Sequence, residues 1–563
     1  MTPYLTDLQQ LARTAQWLAT EAINFQRQRQ AHKPMDYIQF NLPAQMGMFP
    51  DGRNMLLQRV LGRSPISLVE LEQAFKRIAE DKRPRGVILS MRGLALSLAD
   101  LQTLRQSILR LREAGKQVIA YAQSYDMASY YIACACDQIL LQEGGDVFIV
   151  GLSRQQIYLK DALESVGLRF ESIAISPYKS AADQFALSAP SPENEAQTNW
   201  LLDSWFGQLC EGIAQGRAWD IAHTQQVIDN APYTDRSALE QGIIDGTCHE
   251  ETLSKHLHSA HILLWEDADG LLALKLNPAE QYVAVLNLNG TIMNGESGAP
   301  PVDIPLPMVG DARIGDVTTV NILRHILKDK HARALVVYID SPGGSATASE
   351  AIARTLDEIA KTRPVVACMG GVAASGGYYI ASSADEIIAQ AGTVTGSIGV
   401  ILGKLVNSDA LRKLRFNAYQ YQRGAHAGIL TSQSAFSESE RAKMLDAIQR
   451  IYEQFVGRVA DSRKMKPEAV DAIGGGRVWT GAQAHDNGLV DELGGLLEAV
   501  KRARELAKLP TTAPARLVRM RVKPLPAELA EKLDPAAALR YWTEGVEQLT
   551  NGRAQLLMPM IWR

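Results

Sequence analysis

A duplication restricts the folds open to this chain more than any other feature. Residues 85–151 align without a gap to residues 333–399. Arg85, Tyr130, Tyr131, Ile132, Asp137, Ile139 and Gly151 recur 248 positions later as Arg333, Tyr378, Tyr379, Ile380, Asp385, Ile387 and Gly399. Farther out, Thr234, Gly242 and Asp245 match Thr480, Gly488 and Asp491 at a spacing of 246, and Tyr37–Leu42 resembles Tyr282–Asn287. Self-similarity at a fixed spacing is the mark of a copied structural unit. Two copies of one domain are therefore expected, joined near residues 260–280, in a chain of 563 residues that has room for two to four domains.

Within a copy, strand and helix patterns alternate. Ser67-Leu68-Val69-Glu70 reads as a capping box opening a helix with Leu68, Leu71, Phe75 and Ile78 on its buried side. Gly86–Met91 reads as a buried strand, residues 98–114 as a helix, and Gln117–Tyr121 as the next strand. Alternation of this kind implies an α/β fold, a mostly parallel sheet with helices packed outside. The expected divisions are an N-terminal amphipathic helix in 1–34, a first repeat over 35–265, a second over 266–505, and a tail over 506–563. In the helix, Leu8, Leu11, Ala15, Leu18, Ala22 and Phe25 share one face, which is expected to pack on protein, with membrane-surface contact the minor alternative. The Pro- and Ala-rich tail is also expected to pack.

Composition narrows the function. With 46% hydrophobic residues, 21% charged residues and a net charge of -4, the chain has the make-up of a globular protein and no basic field for nucleic acid. Five cysteines without pattern argue against a disulfide framework and fit a reducing compartment. Cys134 and Cys136 read as small core residues. The histidines form no H-E-x-x-H, and Leu253 stands where His249-Glu250 would need its partner, so neither metal nor cofactor is expected. No apolar run reaches the roughly 18 residues that span a bilayer. As written, the chain reads as cytoplasmic and at most peripheral to a membrane; a missing upstream anchor would make it membrane-anchored.

The chemistry stands out where the copies differ. Residues 369–380, Met-Gly-Gly-Val-Ala-Ala-Ser-Gly-Gly-Tyr-Tyr-Ile, read as a glycine-rich turn after a strand, placing Ser375 near a strand-to-helix junction. The first copy has Met127 there. Ser375 is open to two readings, a helix cap or a nucleophile. Asp340-Ser341-Pro342-Gly343-Gly344-Ser345 is either an ordinary tight turn or an oxyanion hole, and the first copy reads Arg92-Gly93-Leu94 instead. No histidine lies near enough in either repeat to serve as base, which leaves lysine. The candidate is Lys179 in Ser176-Pro177-Tyr178-Lys179-Ser180-Ala181, whose counterpart in the second copy is Ala427. One copy lacks the serine and the other the lysine. A lysine base must be desolvated to lose its proton near neutral pH, and an interface between the two domains would supply that burial.

Four motifs in order, namely Tyr178-Lys179-Ser180-Ala181, Asp340–Ser345, Gly370–Tyr378 and Thr395-Gly396-Ser397-Ile398-Gly399, closely resemble the long tandem form of signal peptide peptidase A, or protease IV. The resemblance covers about residues 35–505. It implies tandem Clp-protease/crotonase-like domains, Ser375 as nucleophile and Lys179 as general base. It also implies Gly344 and Gly376 as oxyanion donors, with Gly343 the alternative, Ser397 orienting the lysine, and a homotetramer. Asp340 departs from the asparagine usual before S-P-G-G, and the polar start departs from the membrane anchor common at this length. The expected function is a serine endopeptidase cleaving extended apolar peptides, such as remnant signal peptides, through an acyl-enzyme. The alternatives are a crotonase-type acyl-CoA enzyme and a non-catalytic membrane-associated scaffold.

Overall fold

The computed structural model describes residues 20–25, 27, 33–50, 65–274, 279–298, 312–519 and 555–557. They fall into two compact units, Met1–Ser153 with Trp205–Ala279, and Arg154–Ser204 with Glu280–Arg563. The units cut across the repeats: residues 154–204, which belong to the first copy by sequence, pack in the second unit.

The first unit is built on the strands β1 (Tyr37–Leu42), β2 (Gly86–Met91), β3 (Gln117–Asp126) and β4 (Gln138–Phe148), parallel in the order β4-β3-β2-β1. Helices α1 (Leu68–Glu80), α2 (Leu98–Glu113) and α3 (Met127–Ala133) connect them. The α1 capping box forms as expected. Ser67 N–H donates to Glu70 Oε2 at 2.9 Å, and Leu68, Leu71, Phe75 and Ile78 are buried. Burial on both faces explains why β2 is apolar apart from Ser90. Most of the expected N-terminal helix lies outside the described residues. Its end, Thr20–Phe25, is helical, and the backbone of Leu274 exchanges two hydrogen bonds with Asn24.

The second unit carries β5 (Arg169–Ala174), β6 (Tyr282–Asn289), β7 (Thr291–Met293), β8 (Arg313–Gly315), β9 (Ala332–Ser341) and β10 (Gly343–Ser345). Helix α4 (Ala346–Ala360) leads to β11 (Val365–Ala374), which ends at Ser375, and α5 (Gly376–Ala381) leads on to β12 (Val394–Gly396) and β13 (Ile401–Val406). Its main sheet runs β12-β11-β9-β6, all parallel, with the tail segment Ala515–Leu517 pairing alongside β6. That part of the tail packs as expected. The remainder lies outside the described residues except for β14 (Gln555–Leu557).

The shared residues prove to be scaffold. Asp137 and Asp385 each accept a backbone N–H at 2.8 Å, from Val118 and Val365. Tyr130 and Tyr378 each donate at 2.8 Å to a buried carbonyl, of Ile243 and Leu489. Asp245 and Asp491 accept from Ile139 and Ile387 and pair with Arg217 and Arg463. Cys134 and Cys136 are buried free thiols, and burial pushes Cys134 up to about 12. Asp491→Ala strands the Ile387 N–H and the nearly buried Arg463 guanidinium together. It is expected to cost about 2–3 kcal/mol, read as a lower Tm of the second unit.

Candidate active site

The turn expected across residues 369–380 is a strand as far as Ala374 and a helix from Gly376. β11 continues through Gly370 and Gly371 to Ala374, and its pairing with β9 shifts register between Ile339 and Ser341, a bulge. A Cβ on Gly370 would fall 2.6 Å from the Tyr338 hydroxyl, so this glycine allows close packing rather than a turn. Asp340 holds the bulge, its carboxylate accepting from Val372 N–H at 3.1 Å. The reversal itself is confined to Ser375, at φ 56° and ψ -114°.

Ser375 occupies the N-cap position of α5, with its carbonyl accepting from Tyr379 N–H at 2.8 Å. Its side chain makes no capping bond. The equivalent junction of the first copy is an ordinary cap, in which Asp126 accepts from Ser129 N–H at 2.7 Å. Nζ of Lys179 instead lies 2.7 Å from Oγ of Ser375, although 196 residues separate them in the chain. Nζ also donates to the Ser397 carbonyl at 2.8 Å and lies 2.9 Å from Ser397 Oγ. A neutral amine has two N–H donors and one lone pair. These three oxygens match that inventory if the serine hydroxyl donates its proton to the lone pair. Ser397, at φ 52°, is fixed by its N–H to Arg477, and Ser375 N–H donates to Gly396 at 2.8 Å. One short turn therefore holds both side chains.

Lys179 is 2% exposed and Ser375 0%. Burial alone pulls the lysine well below its ordinary 10.5, since no charged neighbour contributes. The burial arises inside the second unit, where residues 154–204 meet the glycine turn Gly474–Gly476. A Cβ on Gly476 would come within 2.5 Å of Lys179 N, so only glycine lets the backbones approach. Around this contact Trp200 stacks on Trp479 at 5.1 Å, Arg477 lies over Tyr178 at 4.1 Å, and Gln197 accepts from Val478 N–H. Sequence reading missed Gly476, Trp200 and Trp479; the Gly474-Gly475-Gly476 run was the available signal.

The oxyanion candidates come together as well. A Cβ on Gly376 would sit 3.3 Å from both Gly343 Cα and Gly344 N, so the two backbone stretches touch. Gly343 N–H is engaged by Ser341 Oγ at 3.2 Å. Gly376 opens α5, where N–H groups have no partner within the helix. Beside the dyad lies a cleft of about 360 Å³, lined by Ser172, Ala174, Ser176, Lys179, Asp183 and Ile401 among others.

The peptidase family S49 model matches residues 110–262 and 357–510, more than half of the chain. The chain belongs to peptidase family S49. A Clp protease model also matches residues 314–391. "Serine protease SPPA, chloroplastic" of Arabidopsis thaliana is 29% identical over 472 residues, 81% of this chain and 68% of that protein. "Protease 4" of Haemophilus influenzae is 30% identical over 472 residues, 78% of this chain and 73% of its own. "Protease 4" of Salmonella typhi is 30% identical over 467 residues, 79% and 72%. Within S49 the protein is a serine protease of the signal peptide peptidase A/protease IV group in its tandem form, acting on peptides. That membership sets aside the acyl-CoA enzyme and the scaffold. Among the described residues no helix is long and apolar enough to cross a membrane.

Proposed function

We propose that this S49 member is an endopeptidase working through a Ser375/Lys179 dyad on extended apolar peptides, remnant signal peptides among them. The observation that carries the reading is the 2.7 Å approach of a buried, readily deprotonated lysine to the hydroxyl of a serine held on a strained junction. Ser375 Oγ attacks the scissile carbonyl while its proton passes to Lys179 Nζ. The same proton then goes to the leaving amine, and water releases the acyl group by the reverse use of the dyad. The N–H groups of Gly344 and Gly376 hold the oxyanion, Gly343 being the weaker candidate because its N–H has a partner. Ser397 orients the lysine through its carbonyl and hydroxyl. The small residues along the cleft favour small or slender side chains next to the cleaved bond.

Assembly into a homotetramer and peripheral contact with a membrane belong to the same proposal. Exposed Leu414, Phe416, Tyr419 and Tyr421 on one loop support a covered surface there, which sedimentation and liposome flotation would test. The decisive experiment on the chemistry is labelling by a fluorophosphonate probe. Wild type is expected to be labelled at Ser375, and Lys179→Ala to be labelled at least a hundredfold more slowly, within the range general bases contribute. Equal labelling of the two proteins would remove Lys179 as base.

A further inference from the structure

Two ionisable groups face the cleft beside the dyad, and the chemistry uses one of them. The cleft, of about 360 Å³, lies within the second unit. Ser172, Ala174 and Ser176 alternate along β5 and just beyond it, as same-face residues of an extended segment do, and give the cleft a small, uncharged bank. Among the described residues, the ionisable ones on its walls are Lys179 and Asp183. Lys179 acts as a base only when it is neutral. In the working enzyme the charge of the cleft is therefore that of Asp183.

Asp183 is partly buried and held in place. Ser191 Oγ donates to its Oδ2 at 2.9 Å, and the same hydroxyl accepts from Asn194 N–H at 3.2 Å in the first turn of the helix Pro192–Arg217. Burial raises the carboxyl above its ordinary pKa, the Ser191 bond opposes this, and Glu193 adds a like charge. No cation of the described residues offsets it. Nor does Asp183 tune the base, since burial alone lowers Lys179. A carboxylate that faces a cleft without a counter-ion is complementary to a cation brought by the ligand.

Its distance from the dyad sets which part of a substrate it meets. The 3-10 turn Ser180–Ala182 separates Lys179 from Asp183. At roughly 2 Å of rise per residue, Asp183 stands about 8 Å beyond Lys179, the span of two to three residues of an extended peptide. We infer that Asp183 is a specificity-determining residue, which receives a lysine or arginine side chain of the substrate two or three positions from the bond cut at Ser375. The inference rests on the dyad reading above and narrows its substrate class to apolar peptides with a basic residue close to the cleaved bond. Signal peptides join a basic stretch to an apolar run, so this preference directs the cut to that junction.

The test uses internally quenched peptides of one apolar sequence, blocked at both ends, with Lys, Gln or Glu at the second or third position on either side of the cleaved bond. At the position that reaches Asp183, wild type is expected to cleave the Lys peptide with kcat/KM roughly tenfold to a hundredfold above the Gln peptide, the scale of a hydrogen bond to a charged group. The Glu peptide should be the poorest. Asp183→Asn keeps an acceptor for Ser191, and should cleave the Lys and Gln peptides alike. Asp183→Lys should prefer the Glu peptide. Each preference is a ratio within one protein, so a change in overall activity cancels. Equal cleavage of the Lys and Gln peptides by wild type at every position overturns the inference, and so does a Lys preference that survives in Asp183→Asn. Loss of all cleavage in both variants overturns it too, since Asp183 is then structural. Fluorophosphonate labelling of wild type separates the two readings. Labelling of Ser375 without a Lys preference strikes this inference alone, whereas no labelling removes the dyad on which it rests.

Discussion

Ser375→Ala is expected to lower kcat/KM by roughly 10⁴-fold or more, the scale on which removal of a serine nucleophile acts in enzymes whose dyad or triad works as a unit. Combined with Lys179→Ala it should cost little beyond either change alone, because a base without its nucleophile moves no useful proton. Stability should respond differently. Ser375 sits at φ 56° and ψ -114°, a backbone state that L residues rarely adopt, and alanine keeps that strain. Ser375→Gly relieves it, and is expected to raise stability by about 1 kcal/mol while being equally inactive. The pair of variants separates chemistry from folding. A glycine variant that loses stability would mean that the junction is not held under strain, and an alanine variant with near wild-type turnover would end the assignment of the nucleophile.

The strain and the glycines belong to one design that was only half legible in the sequence. Subtracting one repeat from the other isolated Ser375 and Lys179, because Asp137, Tyr130 and Asp245 recur for scaffold reasons in both copies and the dyad members do not. Short-range patterns were equally readable: the Ser67 cap, the α1 face and the strand β2 follow from residues a few positions apart. What periodicity does not carry is contact across 196 residues. Gly476 against the Lys179 backbone, and Trp200 against Trp479, are pairings between distant segments, each residue unremarkable in its own neighbourhood. The transfer of residues 154–204 from the first copy into the second unit has the same origin, and it places the lysine's desolvation inside one unit rather than at an interface between domains. The glycine-rich stretch misled for a local reason. Glycine signals a turn by default, whereas Gly370 is required by the Tyr338 ring pressing on a strand. β14, three residues long, is too short for any period to show.

Lys179→Met is expected to abolish activity and to change the pH dependence of stability, and the second effect tests the base independently of turnover. Burial holds the Lys179 amine well below 10.5, so wild-type kcat/KM should rise with pH through that lowered pKa and level off above it. In the unfolded chain the same lysine titrates near 10.4. Between the two values the unfolded state binds one more proton than the folded state, so wild-type stability increases with pH there, by about 1.4 kcal/mol per unit. Below the folded pKa the penalty for the buried charge is present in full; above about 10.4 it has vanished. Methionine carries no such penalty, although it leaves the Ser397 carbonyl and hydroxyl without the amine, at a cost of about 1–3 kcal/mol that does not vary with pH. The difference in Tm between Lys179→Met and wild type should therefore move in favour of methionine as the pH is lowered from 10 toward neutrality. A difference that stays flat over that range would mean that Lys179 keeps its proton in the folded protein as readily as in the unfolded one. An amine of that kind could not accept the proton of Ser375 near neutral pH, whatever their separation.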